Sequence, residues 1–201
     1  MNIPVYNLSW YEAVEFCKRL TKLEREAGRI PDGYEYRLPT ESEWEYACRA
    51  GTTAALPNGR DMKILGGANA PSLDDIAWYS GNSSVGFNGR GVNTSDWKVK
   101  QCPGGLAFVR EVKGKQPNNW GLFDMVGNVG EWCYDRHGKY LNDGVDPIGS
   151  SALASKWRVV RGGGWNSLAS GCRSAMRHAY HPCDRRYDVG FRIALAPSPA
   201  G

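Results

Sequence analysis

The 201-residue sequence has no apolar run of the roughly eighteen residues that a membrane-spanning helix needs, so no membrane insertion of this chain is expected. It opens Met1-Asn2-Ile3-Pro4, without the basic start or apolar stretch of a secretory signal, which leaves the compartment unassigned. It has three His in all. Cys17, Cys48, Cys102, Cys133, Cys172 and Cys183 form no Cys-x-x-Cys pair and no regular spacing, so zinc-finger and dithiol redox patterns are excluded. Basic and acidic residues number 25 and 21, a net charge of +4, and no Lys/Arg run exceeds two residues; no nucleic-acid partner is implied. Gly162-Gly163-Gly164 lacks the Lys-Ser/Thr that would make a phosphate loop.

What is present is glycine and large aromatics: 25 Gly and 11 Pro beside 8 Trp and 10 Tyr. Such a composition describes turn-rich backbone pinned by big side chains and excludes a helical bundle. The length suits one globular domain over residues 1–201.

Two helices are expected. Ser9-Trp10-Tyr11-Glu12 has the form of a capping box, and Ala13, Cys17, Leu20, Leu23 and Ala27 supply an apolar stripe, giving a helix from about Trp10 to Ala27 that stops at Gly28. Thr40-Glu41-Ser42-Glu43 repeats the device for a short helix ending near Gly51, with Trp44, Ala47 and Cys48 inward. Cys17 and Cys48 read as buried thiols. Residues 52–119 show no period and should be ordered by aromatics at Trp78-Tyr79, Phe87 and Trp97, by short strands or by an ion. β-like pieces follow at Trp120–Val126, Glu131–Tyr134, Trp157–Arg161 and Val189–Leu195, and Ala196–Gly201 reads as a frayed tail.

Several motifs then line up in order: Leu8-Ser9-Trp10-Tyr11-Glu12-Ala13, Tyr36-Arg37-Leu38-Pro39-Thr40-Glu41-Ser42-Glu43-Trp44-Glu45-Tyr46-Ala47, Asn119-Trp120-Gly121-Leu122-Phe123-Asp124-Met125-Val126-Gly127-Asn128-Val129-Gly130-Glu131-Trp132, Arg161-Gly162-Gly163-Gly164-Trp165, Cys172-Arg173-Ser174-Ala175-Met176-Arg177 and Val189-Gly190-Phe191-Arg192. Together they resemble the formylglycine-generating-enzyme (sulfatase-modifying factor) domain family over nearly the whole chain. The resemblance implies an α+β, C-type-lectin-like fold with two helices, a small twisted antiparallel sheet and much irregular loop. Trp10, Trp44, Trp120 and Trp132 would be its core pins. A further N-terminal β segment usual in the family has no counterpart here, which implies a short or trimmed member.

The oxidase branch of that family uses two cysteines between the Arg-Gly-Gly and Gly-Phe-Arg motifs. Cys172, beside Arg173, is at neither position and Cys183 lies beyond Arg177, so the copper-binding pair is unmatched. His137, His178 and His181 do not supply the iron-binding histidine set of a second branch. Other members are variable proteins of diversity-generating retroelements, whose C-terminal stretch mutates at adenines of Asn codons. Within a variable-looking segment, residues 166–188, the positions between framework motifs are Ser167, Leu168, Ser170, Gly171, His178, Ala179, Tyr180, His181, Cys183, Asp184, Arg186, Tyr187 and Asp188. All are reachable from an Asn codon by changing its first two letters, and none is Lys, Glu or Gln; ordinary usage would give that absence about one time in ten.

The expected function is therefore a non-catalytic binder that meets a protein or other macromolecular ligand through these loops, whose Tyr, His, Ser and Gly content resembles an antibody paratope. Alternatives are a metal-dependent oxidoreductase of the same family, a lectin-like sugar binder, or a metal shared by His178 and His181. A structural calcium is expected at Asn128 and Glu131, hard oxygen donors between glycines, as the family motif also implies; the competing reading pairs Glu131 with an Arg of the Gly-rich segment.

Overall fold

The computed structural model describes residues 2–65, 69–97, 105–138 and 155–197. Both helices form where expected, α1 at Trp10–Glu26 and α2 at Glu41–Arg49. Each starts with a complete capping box. Ser9 Oγ accepts from Glu12 N at 3.3 Å while Ser9 N donates to the Glu12 carboxylate at 2.8 Å; Thr40 and Glu43 do the same at 3.1 and 2.8 Å. Gly28 follows α1 at φ +67°, and α2 ends at Ala50 and Gly51, both left-handed. Along α1 the buried stripe is Trp10, Ala13, Cys17 and Thr21, and Leu23 faces solvent. The cause is Thr21, whose hydroxyl donates to Tyr36 O at 3.1 Å and accepts from Tyr36 N at 2.8 Å, turning that edge of the helix onto a strand.

That strand, β1 (Tyr34–Arg37), was not expected. The others are β2 (Val92–Asn93), β3 (Leu106–Ala107), β4 (Gly130–Arg136), β5 (Arg158–Arg161), β6 (Arg177–Tyr180), β7 (Val189–Gly190) and β8 (Ala194–Pro197). A four-stranded sheet runs β6-β5-β4-β7, and β1-β8 and β2-β3 form two small antiparallel ladders. The main sheet is mixed: β4 pairs antiparallel with β5 but parallel with β7, which returns beside it for only two residues. The expected piece at Val189–Leu195 divides in two, because Arg192 turns inward and the chain crosses to β1. The tail is paired with β1 as far as Pro197; its last four residues lie outside the described residues.

Side-chain alternation gives this sheet two different faces. Trp132 and Val160 pack with α1 residues Trp10, Ala13 and Cys17, whereas their neighbours Cys133 and Val159 pack with α2 residues Trp44 and Cys48 and with Leu73, Tyr79 and Met125. Cys17 and Cys48 are buried as expected, and burial pushes both thiols up to about 11.

The stretch after α2 is ordered largely by aromatics, with a one-turn helix α3 (Pro71–Asp74) and the β2-β3 ladder. Tyr79 is fully buried, its hydroxyl donating to Asp74 at 2.9 Å and accepting from Ala70 N at 3.0 Å. Trp78 takes cations from Arg110 at 4.2 Å and Lys115 at 3.8 Å from its ring centroid. Gly127 passes so close to this strip that a Cβ there would lie 2.4 Å from Trp78 O.

Trp120–Val126 is not a strand, and Trp120 is not a core pin. Asn118 Oδ1 accepts from Trp120 N and Leu122 N, both at 3.0 Å, and Gly121 sits at φ +78°. This turn throws Trp120 outward, where it meets exposed Tyr46 edge-on at 4.8 Å.

Candidate functional site

The candidate segment follows β5 through Gly162 and Gly163, both left-handed. A Cβ at Gly163 would lie 2.7 Å from Gly171 O, so glycine is required where the chain folds back on itself. Several framework residues before and between the candidate positions point inward, although Ala175 and Arg185 are exposed. Arg161 is fully buried; it donates to Met176 O at 2.5 Å and Ser174 O at 2.9 Å and pairs with Glu45. Arg177 grips both oxygens of Glu41, at 2.5 and 2.6 Å, and reaches Gly138 O at 2.8 Å. Ala169, Cys172 and Ser174 are buried, and Ser174 N donates to Ala55 O at 3.0 Å.

Several candidate positions face outward or sit half-buried between these anchors. Leu168 and Tyr187 are 54% and 61% exposed, and Ser170 and Cys183 are exposed. Leu168 caps a 3-10 turn, Ala169–Gly171, and Ser170 is its middle residue, held by Arg173 Nε donating to Ser170 O at 2.9 Å. β6 is a strand where the sequence pattern implies loop. Ala179 pairs with Val159 and Tyr180 with Arg158, and the Tyr180 ring meets Trp132 edge-on at 6.3 Å.

Around β6 the structure brings one group together. Arg186 lies 4.3 Å from the Tyr180 ring centroid and holds Asp188 at 3.0 and 3.2 Å, and Asp188 also accepts from Asn166 at 3.1 Å. His178 stands opposite Val160, and its Nε2 is buried against the backbone of Gly171. Burial, with smaller contributions from the Arg161 and Arg186 charges, holds the His178 imidazole below its ordinary pKa of 6.5. Two candidates are partly structural: Ser167 Oγ accepts from Gly164 N at 2.9 Å, closing a turn, and Gly171 is buried.

His181, Cys183 and Asp184 make a separate corner. Asp184 accepts from His181 N at 3.1 Å, and His181 Nδ1 accepts from Cys183 N at 3.3 Å beside the ring of Trp157. With His178 Nε2 buried on a strand and His181 Nδ1 engaged in this turn, the two imidazoles do not form a shared metal site. Among the described residues no cluster of three or more His, Cys, Asp or Glu is placed to hold a metal ion. Cys172 is entirely buried and its thiol is pushed up to about 12, far from the thiolate range of a reactive cysteine.

At the Gly-rich loop the Asn128 amide is engaged with the backbone: its Oδ1 accepts from Arg110 N at 2.9 Å, leaving one lone pair, and its Nδ2 donates to Arg110 O at 3.1 Å. Glu131 accepts from Trp44 Nε1 at 2.6 Å and from Arg192 at 2.5 and 2.7 Å. Its ion-pair partner is thus the Gly-Phe-Arg arginine and not one from the Gly-rich segment. Three of about four carboxylate acceptor sites are thereby used, leaving one on Oε1. The acceptor that the sequence reading missed is Asp124. Its Oδ2 accepts from Lys113 N at 2.8 Å, and its Oδ1 is buried close to the Asn128 amide on the wall of a cavity of about 420 Å³ that Glu131 also lines. Burial, and then the Glu131 charge, push its carboxyl up. Asp124 stands in the same motif, four residues before Asn128, at φ +54°. A hard cation here would draw on Asp124 and Glu131.

Comparison with known proteins agrees with this architecture. The chain is 32% identical to the formylglycine-generating enzyme of Streptomyces coelicolor over 201 residues, 96% of this chain and 52% of that enzyme. It is 30% identical to the formylglycine-generating enzyme of Mus musculus, over 98% of this chain and 45% of the enzyme. It thus spans about half the length of these two relatives. Among solved structures it is similar to Treponema denticola variable protein 1, with a TM-score of 0.71 and 27% identity, over 98% of this chain and 72% of that one. PvdO from Pseudomonas aeruginosa, with a TM-score of 0.66 and 24% identity over 96% of this chain and 62% of that one, shares the fold. The fold is the expected α+β, C-type-lectin-like one. The family model for the sulfatase-modifying factor enzyme 1-like domain matches residues 1–197, and the chain belongs to that family.

Proposed function

We propose that this chain is a non-catalytic binding protein that presents a diversified C-terminal surface to a protein or other macromolecular ligand, as the variable protein of a diversity-generating retroelement. The observation that carries the reading is the division between the residues that anchor the segment 166–188 and those that it exposes. Arg161, Ser174 and Arg177 lock the backbone from inside, while Leu168, Ser170, Cys183 and Tyr187 project outward and can change at little cost to the fold. The similarity to Treponema denticola variable protein 1 supports it. So does the burial of Cys172, which leaves no exposed thiol pair among the described residues of the segment. The half-buried group of His178, Tyr180, Arg186 and Asp188 supplies rings and charge of the kind that concentrates binding energy. The same reading gives Asp124 and Glu131 to a structural calcium, which would neutralise the loop's carboxylates and take no part in binding.

The test is the gene's neighbourhood. A reverse-transcriptase gene and a near-identical template repeat of the C-terminal segment are expected there, and the absence of both overturns the diversification. Oxygen consumption with a cysteine-containing peptide and added copper or iron, above that of a Cys172→Ala control, would instead establish an oxidase.

A further inference from the structure

Tyr187 begins a continuous run of rings. It lies 6.3 Å from Phe108, Phe108 lies 5.3 Å from Trp165, and Trp165 stacks on Trp97 at 5.8 Å and 24°. These rings wall an open cavity of about 360 Å³ whose mouth carries Val92, 46% exposed, and Arg185, Arg186 and Asp188. Trp165 is almost fully buried and its Nε1 donates to Tyr187 O at 3.2 Å, so the floor also fixes the loop that bears the rim. The volume is at the low end for ligand pockets, the size of a single side-chain group.

The polar rim narrows the guest. Two guanidiniums and one carboxylate line the cavity. Arg186 is committed to Asp188, but Arg185 pairs, among the described residues, with Glu12 alone, and both partners are about half exposed, so that contact is weak and readily exchanged. The surplus charge is therefore cationic, which disfavours a quaternary-ammonium guest. The two indoles cover one face of each other, which leaves less open ring for a stacked sugar.

Building on the binding function above, we propose that this cavity anchors an aromatic side chain of a protein partner, with an adjacent acidic group that draws Arg185 from Glu12. Trp97, Phe108 and Trp165 lie outside the diversified positions and Tyr187 within them. A constant aromatic floor then sits under a changeable rim, so one anchoring contact can serve many ligands.

The indole N–H resonances of Trp97 and Trp165, read by NMR on the full chain, provide the test. N-acetyl-tryptophan, with its free carboxylate, should shift them saturably, and N-acetyl-tryptophan amide should bind several-fold more weakly. Arg185→Gln should abolish that difference. Tyr187→Ala should weaken binding about tenfold, and Val92→Glu, at an exposed position, should weaken the free acid selectively. No saturable shift from either probe, equal affinity for acid and amide, or saturable shifts by methyl glycosides instead would overturn the proposal. A protein partner whose binding is lost on changing Leu168 and Ser170 but is indifferent to Trp97→Ala and Val92→Glu would also overturn it, while leaving the binding function standing.

Discussion

Arg186 lies over Tyr180, its guanidinium carbon 4.3 Å from the ring centroid, and from that position holds both oxygens of Asp188. The pairing ties the end of the candidate segment to β6 across a bend in the chain. Because Arg186 is partly exposed, Arg186→Ala should lower stability by no more than about 1 kcal/mol. Thermal melting checks this: a small loss places Arg186 on a presentation surface, and unfolding at room temperature would make it a framework residue.

Arg161 should behave oppositely. It is fully buried between Glu41, Glu45 and two carbonyls, and removing it takes the donor from Met176 O and Ser174 O and one cation from the buried Glu41, which keeps Arg177. Arg161→Ala should cost about 3 to 5 kcal/mol in urea unfolding. A loss under about 1 kcal/mol would mean that the segment is not anchored as described.

The histidine of the group sets a pH dependence. The His178 imidazole is held below 6.5, chiefly by burial, so the unfolded chain binds its proton more readily than the folded one. Its contribution is complete above the unfolded value and is lost as the pH falls through 6.5 toward the folded one. His178→Gln should flatten the stability profile in that window; an identical profile for the variant would contradict the assignment.

The calcium proposal turns on Asp124. Calcium should raise the melting temperature of the unaltered chain, excess chelator should reverse the rise, and Asp124→Ala should abolish it. A melting temperature indifferent to calcium, or a rise that survives Asp124→Ala, contradicts the site.

Much of this was legible in the residues. The capping boxes at Ser9 and Thr40 placed both helices, because a cap is a local device whose partners lie three residues apart. The motifs placed the family. Long-range relations were not readable: β1 forms because Ala194–Pro197 returns to it, and β6 because β5 lies beside it, neither visible in local periodicity. Leu23 was misplaced because Thr21, a polar residue, takes the buried position by bonding Tyr36. Asn128 has an oxygen donor for calcium, and the backbone of Arg110, eighteen residues away, takes one of its two lone pairs, which no local pattern shows. Tyr187 was picked out for its type, while the rings that make it one wall of a cavity come from three distant stretches of chain.

The most direct measurement is deep sequencing of the C-terminal segment of this gene across many cells of one lineage. The account predicts that substitutions concentrate at Leu168, Ser170, His178, Tyr180, Cys183, Arg186, Tyr187 and their fellow positions, at adenines. Arg161, Ser174, Arg177 and Arg192 should remain unchanged. An invariant segment, or substitutions spread evenly over framework and surface positions, would contradict it.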